Sequence, residues 1–282
     1  MANMAEEYVE YNKANWNERA VEHAKSDEYC FKRLQQDPSL ISDVVRFDTP
    51  LIGSIDGLDI VHLQCHIGTD TLSLARRGAK SVTGLDFSSE SLKQARNLAA
   101  NAAGGDKLSF VEASTYVALS VLQLGSFDLV FTGIGALCWL PSIKRWAEVV
   151  AGLLKPGGRL FLREGHPILW SIGEENAEEL VISLPYFERA EPMIWVQGGT
   201  YVDVGSKVFE NTKTMEWNHG MGEIIQAVLD VGLKITGLVE HKSVPWKALS
   251  APMAATGPCG EWELKQGKDN IPLTYTLQAV KT

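Results

Sequence analysis

The sequence predicts an α/β fold. It consists of a doubly wound sheet of seven strands, mostly parallel with an antiparallel closing strand, an N-terminal helical cap and a β-rich insertion. From residue 58 onward, short apolar runs alternate with amphipathic helical patterns, which is typical of parallel strands joined by crossover helices. The last two apolar runs, 233–241 and 272–281, resemble a closing strand pair.

The chain of 282 residues is long for one average domain and short for two ordinary ones. We therefore predict one domain with an insertion. A polar helical segment covers 1–45 and the first part of the core covers 46–168. The insertion follows at 169–217, and 218–282 complete the core.

Each element of the first half of the core has its own sequence signal. Short apolar runs predict the strands, and serine caps or terminal glycines bound the helices. The elements are strand 58–65, helix 70–79 stopped by Gly78, strand 81–87, helix 88–105 and strand 108–114.

The second half continues this order before it is interrupted. We predict a fourth strand at 126–137 that runs into a loop, an amphipathic helix at 142–158 ended by Pro156 and Gly157, and a fifth strand at 159–165. Residues 169–217 are rich in Val, Tyr, Trp and Gly, which favours β-hairpins or loops. A helix at 222–232 precedes the closing strand pair, whose two strands are separated by a Pro/Gly-rich loop.

Charge and composition argue against several classes of partner. The formal net charge of −9 repels nucleic-acid phosphates and anionic membrane surfaces. No apolar stretch approaches the roughly 20 residues that span a bilayer, and the polar, acidic N-terminus lacks the features of a signal peptide. The four cysteines form no CxxC motif and are expected to be free thiols. We therefore expect a cytoplasmic protein without nucleic-acid or membrane partners.

The turn after the first strand is the prime position for a ligand, because open α/β sheets bind ligands beyond the carboxyl ends of their strands. Here it reads Gln64-Cys65-His66-Ile67-Gly68, with only one glycine. Asp86 ends the second strand about 20 residues later, where a carboxylate can accept hydrogen bonds from both ribose hydroxyls. The pattern fits an adenosine-containing cofactor, and it fits a plain strand–turn–helix with a solvated aspartate equally well.

Further motifs resemble those of class I S-adenosylmethionine-dependent methyltransferases. These are GLDFSSESLKQAR, FDLVF and LLKPGG, followed by a late helix and a strand pair. The first loop of that family usually reads VLDLGCGTG and here reads IVHLQCHIG, so Gln64 and His66 replace two glycines. The LQCH form is similar to that of a subgroup of largely uncharacterised bacterial small-molecule methyltransferases. The resemblance implies a Rossmann-like fold and S-adenosylmethionine as cofactor.

The resemblance also implies roles for individual residues. The loop would wrap the methionine end and ribose of the cofactor, Asp86 would hold the ribose hydroxyls, and the adenine and sulfonium would lie on the ends of the next strands. Residues of the N-terminal segment would form a lid, with Arg19 meeting the cofactor carboxylate. The cofactor-binding residues implied are Gln64, Cys65, His66, Gly68, Asp86, Phe87, Ser88, Ala113, Ser114, Thr132, Gly133, Tyr11, Trp16 and Arg19.

Methyl transfer from a sulfonium is an in-line substitution that needs no metal. An oxygen or nitrogen nucleophile must also lose a proton, so a general base would help. We predict His166 and His219 as catalytic residues, because each lies beside an expected ligand-side loop and imidazole titrates near neutral pH. His66 and Glu164 are further candidates, and each of the four has an alternative structural role.

We expect the acceptor to be a small molecule. Several of the eight tryptophans fall in or near loops and the insertion, where they either line a pocket for an aromatic or lipophilic molecule or form core for the inserted strands. Two rival functions remain open: an NAD(P)-dependent oxidoreductase and a non-catalytic binding protein of the same fold. The sequence does not indicate the oligomeric state.

Overall fold

The computed structural model describes residues 4–173 and 179–282, with side chains from residue 7 onward. Residues 1–3 of the predicted helical segment and 174–178 of the predicted insertion lie outside the described residues. The helices are α1 (Met4–Lys25), α2 (Phe31–Gln36), α3 (Asp43–Ile52), α4 (Thr69–Arg76), α5 (Ser89–Asn101), α6 (Ala118–Val121), α7 (Ile143–Leu153) and α8 (Met221–Asp230).

The strands of the main sheet are β1 (Asp59–Leu63), β2 (Ser81–Asp86), β3 (Leu108–Glu112), β4 (Phe127–Thr132), β5 (Leu154–Gly165), β8 (Leu233–His241) and β12 (Thr274–Lys281). Short strands elsewhere are β6 (Met193–Val196), β7 (Lys213–Glu216), β9 (Ser243–Val244), β10 (Met253–Thr256) and β11 (Glu261–Leu264).

Within the described residues, the main sheet has seven strands in the order β3-β2-β1-β4-β5-β12-β8. β12 runs antiparallel to both β5 and β8, and the remaining neighbours pair in parallel. Helices pack on both faces: α7 and α8 contribute to one apolar cluster, which contains Trp146, and α3 and α4 contribute to another. The predicted fold class is confirmed.

The helix predicted at 142–158 ends earlier, at Leu153. Pro156 has no backbone N–H to donate and forces the residue before it toward extended backbone. Residues 154–158 therefore open β5 instead of closing the helix. The amphipathic pattern was correct for the helix itself, while its end was set by the proline.

Two regions gain short strands. In the insertion, β6 and β7 pair antiparallel. The stretch after β8, predicted as a Pro/Gly-rich loop, holds a three-stranded sheet in the order β10-β11-β9. Strands of two to four residues are too short to produce a clear alternating pattern, which is why this small sheet was missed.

Helix α1 buries polar side chains along one face. Tyr8, Asn12, Asn15, Arg19 and His23 recur every three or four residues, and each is at most 6% exposed. This spacing puts them on one side of a helix. The side faces the insertion and the carboxyl edge of the main sheet, where Asn12, Arg19 and His23 find hydrogen-bond partners and Tyr8 packs against Trp217.

Candidate active site

The loop between β1 and α4 keeps the backbone of a glycine-rich turn without its glycines. Gln64 and His66 have φ values of 57° and 48°, and Gly68 has a φ of 80°. Left-handed backbone costs about 1–2 kcal/mol for a residue with a side chain. Side-chain and backbone hydrogen bonds must therefore hold the loop in this shape.

Those bonds are present. Gln64 Nε2 donates to the carbonyl oxygen of Ala136 in the loop after β4, at 2.8 Å. The backbone N–H of His66 donates to Asp86 Oδ2 at 2.8 Å. The loop is thus tied on one side to β4 and on the other to the end of β2.

Asp86 lies at the centre of this arrangement and is almost fully buried. Its other oxygen, Oδ1, accepts the backbone N–H of Ser88 at 2.8 Å. Burial raises the pKa of the Asp86 carboxyl to about 6, although backbone N–H groups of Ser88, His66 and Phe87 act in the opposite direction. A carboxylate offers about four lone-pair sites, so acceptor capacity remains for a ligand.

A cavity of about 20 Å³ lies beside this loop. Gln64, Phe87 and Ser114, all predicted to bind the cofactor, line it together. Two buried polar atoms of its lining, Gln64 Oε1 and Thr115 Oγ1, have no hydrogen-bond partner within the described part of the chain. The other lining residues are Tyr8, Val9, Thr115, Trp139 and Leu140.

Helix α1 covers this cavity. The Trp16 ring packs edge-on against His66 and Trp139, with centroids 4.9 and 5.2 Å apart. Asn17 Oδ1 accepts hydrogen bonds from Ser88 Oγ at 2.8 Å and from the backbone N–H of Glu90 at 3.2 Å. The helix therefore lies over the carboxyl ends of β1 and β2, the position that the predicted lid requires.

A pair of imidazoles joins the lid to the loop. His23 Nδ1 and His66 Nε2 are hydrogen-bonded at 2.9 Å, and the outer nitrogens bond Thr200 Oγ1 at 2.7 Å and Ser91 Oγ at 3.0 Å. Burial lowers the pKa of His23 to about 3, and the Arg19 charge acts in the same direction. Burial and the neighbouring His23 also hold the pKa of His66 well below its usual value. Both rings are therefore neutral near pH 7.

Two residues of the predicted lid do not face the loop. Each N–H of the Arg19 guanidinium donates to a backbone carbonyl oxygen, and most of these belong to residues 197–211 of the insertion. Tyr11 is partly exposed, with Lys213 Nζ 3.8 Å from its ring centroid. This arrangement gives no support to their expected contacts with a cofactor.

Glu164 is held as a structural anchor. It lies buried at the end of β5, where Oε1 accepts the N–H groups of Gly135 and Gly165 at 2.7 and 2.6 Å. Oε2 accepts those of Ala136 and Leu137, both at 2.8 Å. A carboxylate with four backbone donors is poorly suited to take a proton from a substrate.

The two predicted catalytic histidines lie in different settings. His166 Nδ1 accepts the N–H of Ile168 at 3.1 Å, and Nε2 bonds Glu240 Oε1 at 3.0 Å, so its ring shapes a turn. His219 Nδ1 bonds Glu188 Oε2 at 2.8 Å, and Nε2 lies 3.1 Å from the carbonyl oxygen of Leu137. Only His219 contacts the turn that borders the cavity.

The remaining predicted residues stand where the strands end. Thr132 is fully buried at the end of β4, and its Oγ1 has no partner among the described residues. A Cβ added at Gly133 would lie 3.5 Å from His62 Nε2, in ordinary contact. Ala113 donates its backbone N–H to the Asp86 carbonyl oxygen at 2.9 Å. Cys65 is buried in the loop.

One of the tryptophans lines the cavity and others pack against neighbouring side chains. Trp139 lines the cavity. Trp170 and Trp246 stack with centroids 6.0 Å apart beside the apolar cluster of the small sheet, and Trp217 packs edge-on against Tyr8. Most of the loop tryptophans near the insertion therefore serve packing.

Neither a metal centre nor a membrane span is found in the described ranges. No three His, Cys, Asp or Glu side chains of residues 4–173 and 179–282 are grouped to hold a metal ion. In the same ranges, no helix is both long and apolar enough to cross a bilayer.

The strand order, the helices on both faces and the loop over β1 define a Rossmann-like methyltransferase fold. Residues 60–158 match the family described as a methyltransferase domain. A curated relative, the methyltransferase phqN of Penicillium fellutanum, is 28% identical over 138 residues. That match covers 47% of this chain and 40% of the relative, so the two proteins are alike over less than half of either length.

Solved structures share the fold at low identity. An S-adenosylmethionine-dependent methyltransferase from Mesorhizobium loti superposes with a TM-score of 0.54 at 20% identity, covering 85% of this chain and 98% of its own. The glycopeptide N-methyltransferase MtfA, solved with S-adenosylmethionine, gives 0.54 at 16% identity, covering 87% of this chain and 96% of its own. The comparisons together show a methyltransferase-like fold and a match to the methyltransferase domain over residues 60–158.

Sequence reasoning missed several residues of the site. His23, Asn17, Tyr8 and Thr115 had not been predicted there, and Glu164 had been considered as a base. The recurrence of buried polar side chains on one face of α1 was the available signal. Polar helix faces are usually solvated, however, so the spacing alone would not have revealed their burial.

Proposed function

We propose that the protein transfers a methyl group from S-adenosylmethionine to a small-molecule acceptor with an oxygen or nitrogen nucleophile. One observation carries the proposal: Gln64, Phe87 and Ser114, which come from three different strand ends, line one cavity beside the buried carboxylate of Asp86. The LQCH subgroup and a cytoplasmic location are part of the same proposal.

The residues present fit the cofactor. Asp86 keeps free lone pairs for hydroxyl donors, and Phe87 offers an apolar ring. The buried Gln64 Oε1 and Thr115 Oγ1 have no hydrogen-bond partner among the described residues and can bond polar atoms of the cofactor. When bound, S-adenosylmethionine supplies a methyl carbon already activated by the positive sulfur. The protein must align acceptor and cofactor and exclude water, and such positioning can supply roughly 7–11 kcal/mol of the barrier.

The lid must open for this function. A cavity of about 20 Å³ holds no more than a water molecule, whereas drug-sized ligands occupy on the order of 300–1,000 Å³. Tyr8 and Val9 of α1 fill part of the space. We infer that α1 swings away to admit the cofactor and then covers it during the reaction.

His219 is the better supported of the two predicted bases. Glu188 orients its Nδ1, in the manner of base–carboxylate pairs at nucleophilic sites. Nε2 is hydrogen-bonded to the carbonyl oxygen of Leu137, which only accepts, so we propose that Nε2 takes a proton from the acceptor after it has left that carbonyl oxygen. Burial would raise the pKa of Glu188, but the His219 and Ile143 hydrogen bonds and the His219 charge lower it below its usual value. His166 remains a weaker candidate, and Trp139 is the group proposed to contact an aromatic or lipophilic acceptor.

Ligand-induced changes in melting temperature test the cofactor. S-adenosylhomocysteine in hundredfold excess over its Kd should stabilise the protein by about 2.7 kcal/mol, whereas NAD(P) should give no shift. The side chains of Gln64 and His66 would crowd a pyrophosphate, which argues against NAD(P). If the protein were an oxidoreductase, NAD(P) would raise the melting temperature and S-adenosylhomocysteine would not. Labelled methyl transfer to acceptors in a cell extract then separates an enzyme from a non-catalytic binding protein, which would bind the cofactor without transfer.

A further inference from the structure

The turn after β4, residues 133–137, is hydrogen-bonded to several groups of the proposed cofactor site. Glu164 holds it by accepting the N–H groups of Gly135, Ala136 and Leu137. The carbonyl oxygens of the same three residues point outward to other parts of the site. They accept hydrogen bonds from Trp139 Nε1 at 2.8 Å, Gln64 Nε2 at 2.8 Å and His219 Nε2 at 3.1 Å.

The bond to Ala136 fixes the orientation of the Gln64 carboxamide. Because a carbonyl oxygen only accepts, the nitrogen of Gln64 must face it and the oxygen must face elsewhere. Gln64 lines the cavity, and its buried Oε1 has no partner in the part of the chain described. A buried acceptor left unpaired is unfavourable, so the site is complete only when a donor binds there.

We propose that Glu164 is a positioning residue that sets Gln64 Oε1 to accept a hydrogen bond from the ammonium group at the amino-acid end of the cofactor. This inference rests on the proposed function. An ammonium group donates only, which complements an amide whose own donor is already used. Gln64 joins β1 to the loop after β4, whereas Phe87 and Ser114 border the cavity from β2 and β3, the side proposed for adenine.

The test compares S-adenosylhomocysteine with its desamino analogue, which lacks only the ammonium group, by titration calorimetry. Wild-type protein should bind the desamino analogue about tenfold more weakly, because a hydrogen bond to a charged group contributes roughly this factor. Gln64→Met keeps the length of the side chain but removes its oxygen. It should bind S-adenosylhomocysteine about tenfold more weakly than wild type and bind the two ligands almost equally.

Glu164→Gln should weaken S-adenosylhomocysteine binding in the wild-type background by a similar factor. In the Gln64→Met background it should change affinity less than twofold, since Glu164 acts through Gln64. Where Glu164→Gln does not fold, Glu164→Asp, which keeps the charge, is measured in both backgrounds. The exposed variants Gln226→Met and Glu148→Gln are matched controls and should leave both affinities unchanged.

Two results would overturn the inference while leaving the proposed function intact: Gln64→Met retains the wild-type preference for S-adenosylhomocysteine, or the Glu164 variant has its full effect without Gln64. A wild-type protein that binds neither ligand would instead overturn the proposed function, and this inference with it.

Discussion

Gln64 and His66 occupy left-handed backbone in the cofactor loop, where a glycine would adopt the same conformation without steric cost. Each uses its side chain in return: Gln64 ties the loop to Ala136, and His66 ties it to His23 and Ser91. Compared with glycines, these two residues have less backbone freedom but add hydrogen bonds that hold the loop in place. We expect this loop to be stiffer than a glycine-rich one and to depend more on its neighbours.

Asp86→Ala should weaken S-adenosylhomocysteine binding at least tenfold. A carboxylate that accepts ribose hydroxyls contributes about 1.5–3 kcal/mol per charged hydrogen bond, and alanine also leaves the backbone N–H groups of His66 and Ser88 unpaired. Calorimetric titration measures the change. Asp230→Ala, an exposed aspartate at the end of α8, is the control, and equal affinities of the Asp86 variant and wild type would contradict the assignment.

The neutral His23–His66 pair predicts acid sensitivity. The pKa of His23 is lowered to about 3 from an ordinary value of 6.5, so below pH 6.5 the unfolded chain binds a proton that the folded protein does not. Stability therefore falls as the pH drops from 6.5 toward 3. His23→Gln should show a shallower loss when unfolding free energy is measured by urea between pH 7 and 4.

The control for this comparison is Asn15→Ala, which removes a buried polar side chain from the same face of α1 without removing a titratable group. It should keep the wild-type slope of stability against pH. A His23→Gln variant with an unchanged slope would show that folding does not lower the pKa of this ring.

At the scale of single elements, α1 is held by hydrogen bonds in addition to apolar and aromatic contacts. Asn12 clasps the backbone of Met215 in β7 through both its amide atoms, at 2.8 and 2.9 Å. Asn17 accepts hydrogen bonds from Ser88 and Glu90 at the start of α5. Polar partners held in this way can bond to water instead, which suits the opening that we propose for α1.

Asn12→Ala should loosen the lid without unfolding the core. The change leaves a buried N–H and carbonyl of Met215 unpaired, which costs about 1–3 kcal/mol and corresponds to roughly ten- to hundredfold faster local opening. Amide hydrogen exchange should quicken in α1 and β7 and stay unchanged in β4 and β5. The control is Glu10→Ala, an exposed position of the same helix; uniform acceleration across the sheet would count against a separate lid.

At the scale of the whole molecule, a buried ionic cluster links three parts of the fold. Arg163 of β5 is fully buried and donates through Nη2 to both oxygens of Glu261 in β11 at 2.9 Å. Its Nε lies 3.7 Å from Asp48 of α3, and its guanidinium stacks 3.8 Å over the Phe47 ring. One cation thus faces two buried carboxyl groups and joins the small sheet to the core.

This cluster predicts that Asp48→Asn stabilises the protein increasingly at higher pH. Burial raises the pKa of Asp48 to about 7, while Arg163 lowers it and Asp70 and Glu261 raise it further. The stabilisation that the protonated Asp48 carboxyl gives the folded protein is fully present below pH 3.8 and is lost as the pH rises toward 7. Asparagine stays neutral and does not lose it. Unfolding free energies at pH 4.5 and 8 measure the difference between variant and wild type, with the exposed Asp230→Asn as control; a difference independent of pH would contradict the prediction.

The fold was predictable because it depends on local patterns. Periodic apolar runs, serine caps and terminal glycines lie within a few residues of the elements that they define, and the order of strands and helices then limits the topology. The same reasoning predicted that the loop at 64–68 and Asp86 lie together, since the carboxyl ends of adjacent parallel strands meet at one edge of the sheet, and the His66 N–H does bond Asp86.

By itself, the sequence determined the α/β architecture, and it predicted three residues that line the cavity at the carboxyl edge of the sheet, where we propose the site. Only the tertiary structure decided that Arg19 binds the insertion, that Glu164 anchors a turn, and that His23 meets His66. These outcomes depend on hydrogen bonds between distant segments, such as Asn12 and Met215, which are 203 positions apart. No local pattern encodes such a partner, because a polar side chain has the same propensity whether water or a remote carbonyl receives its hydrogen bond.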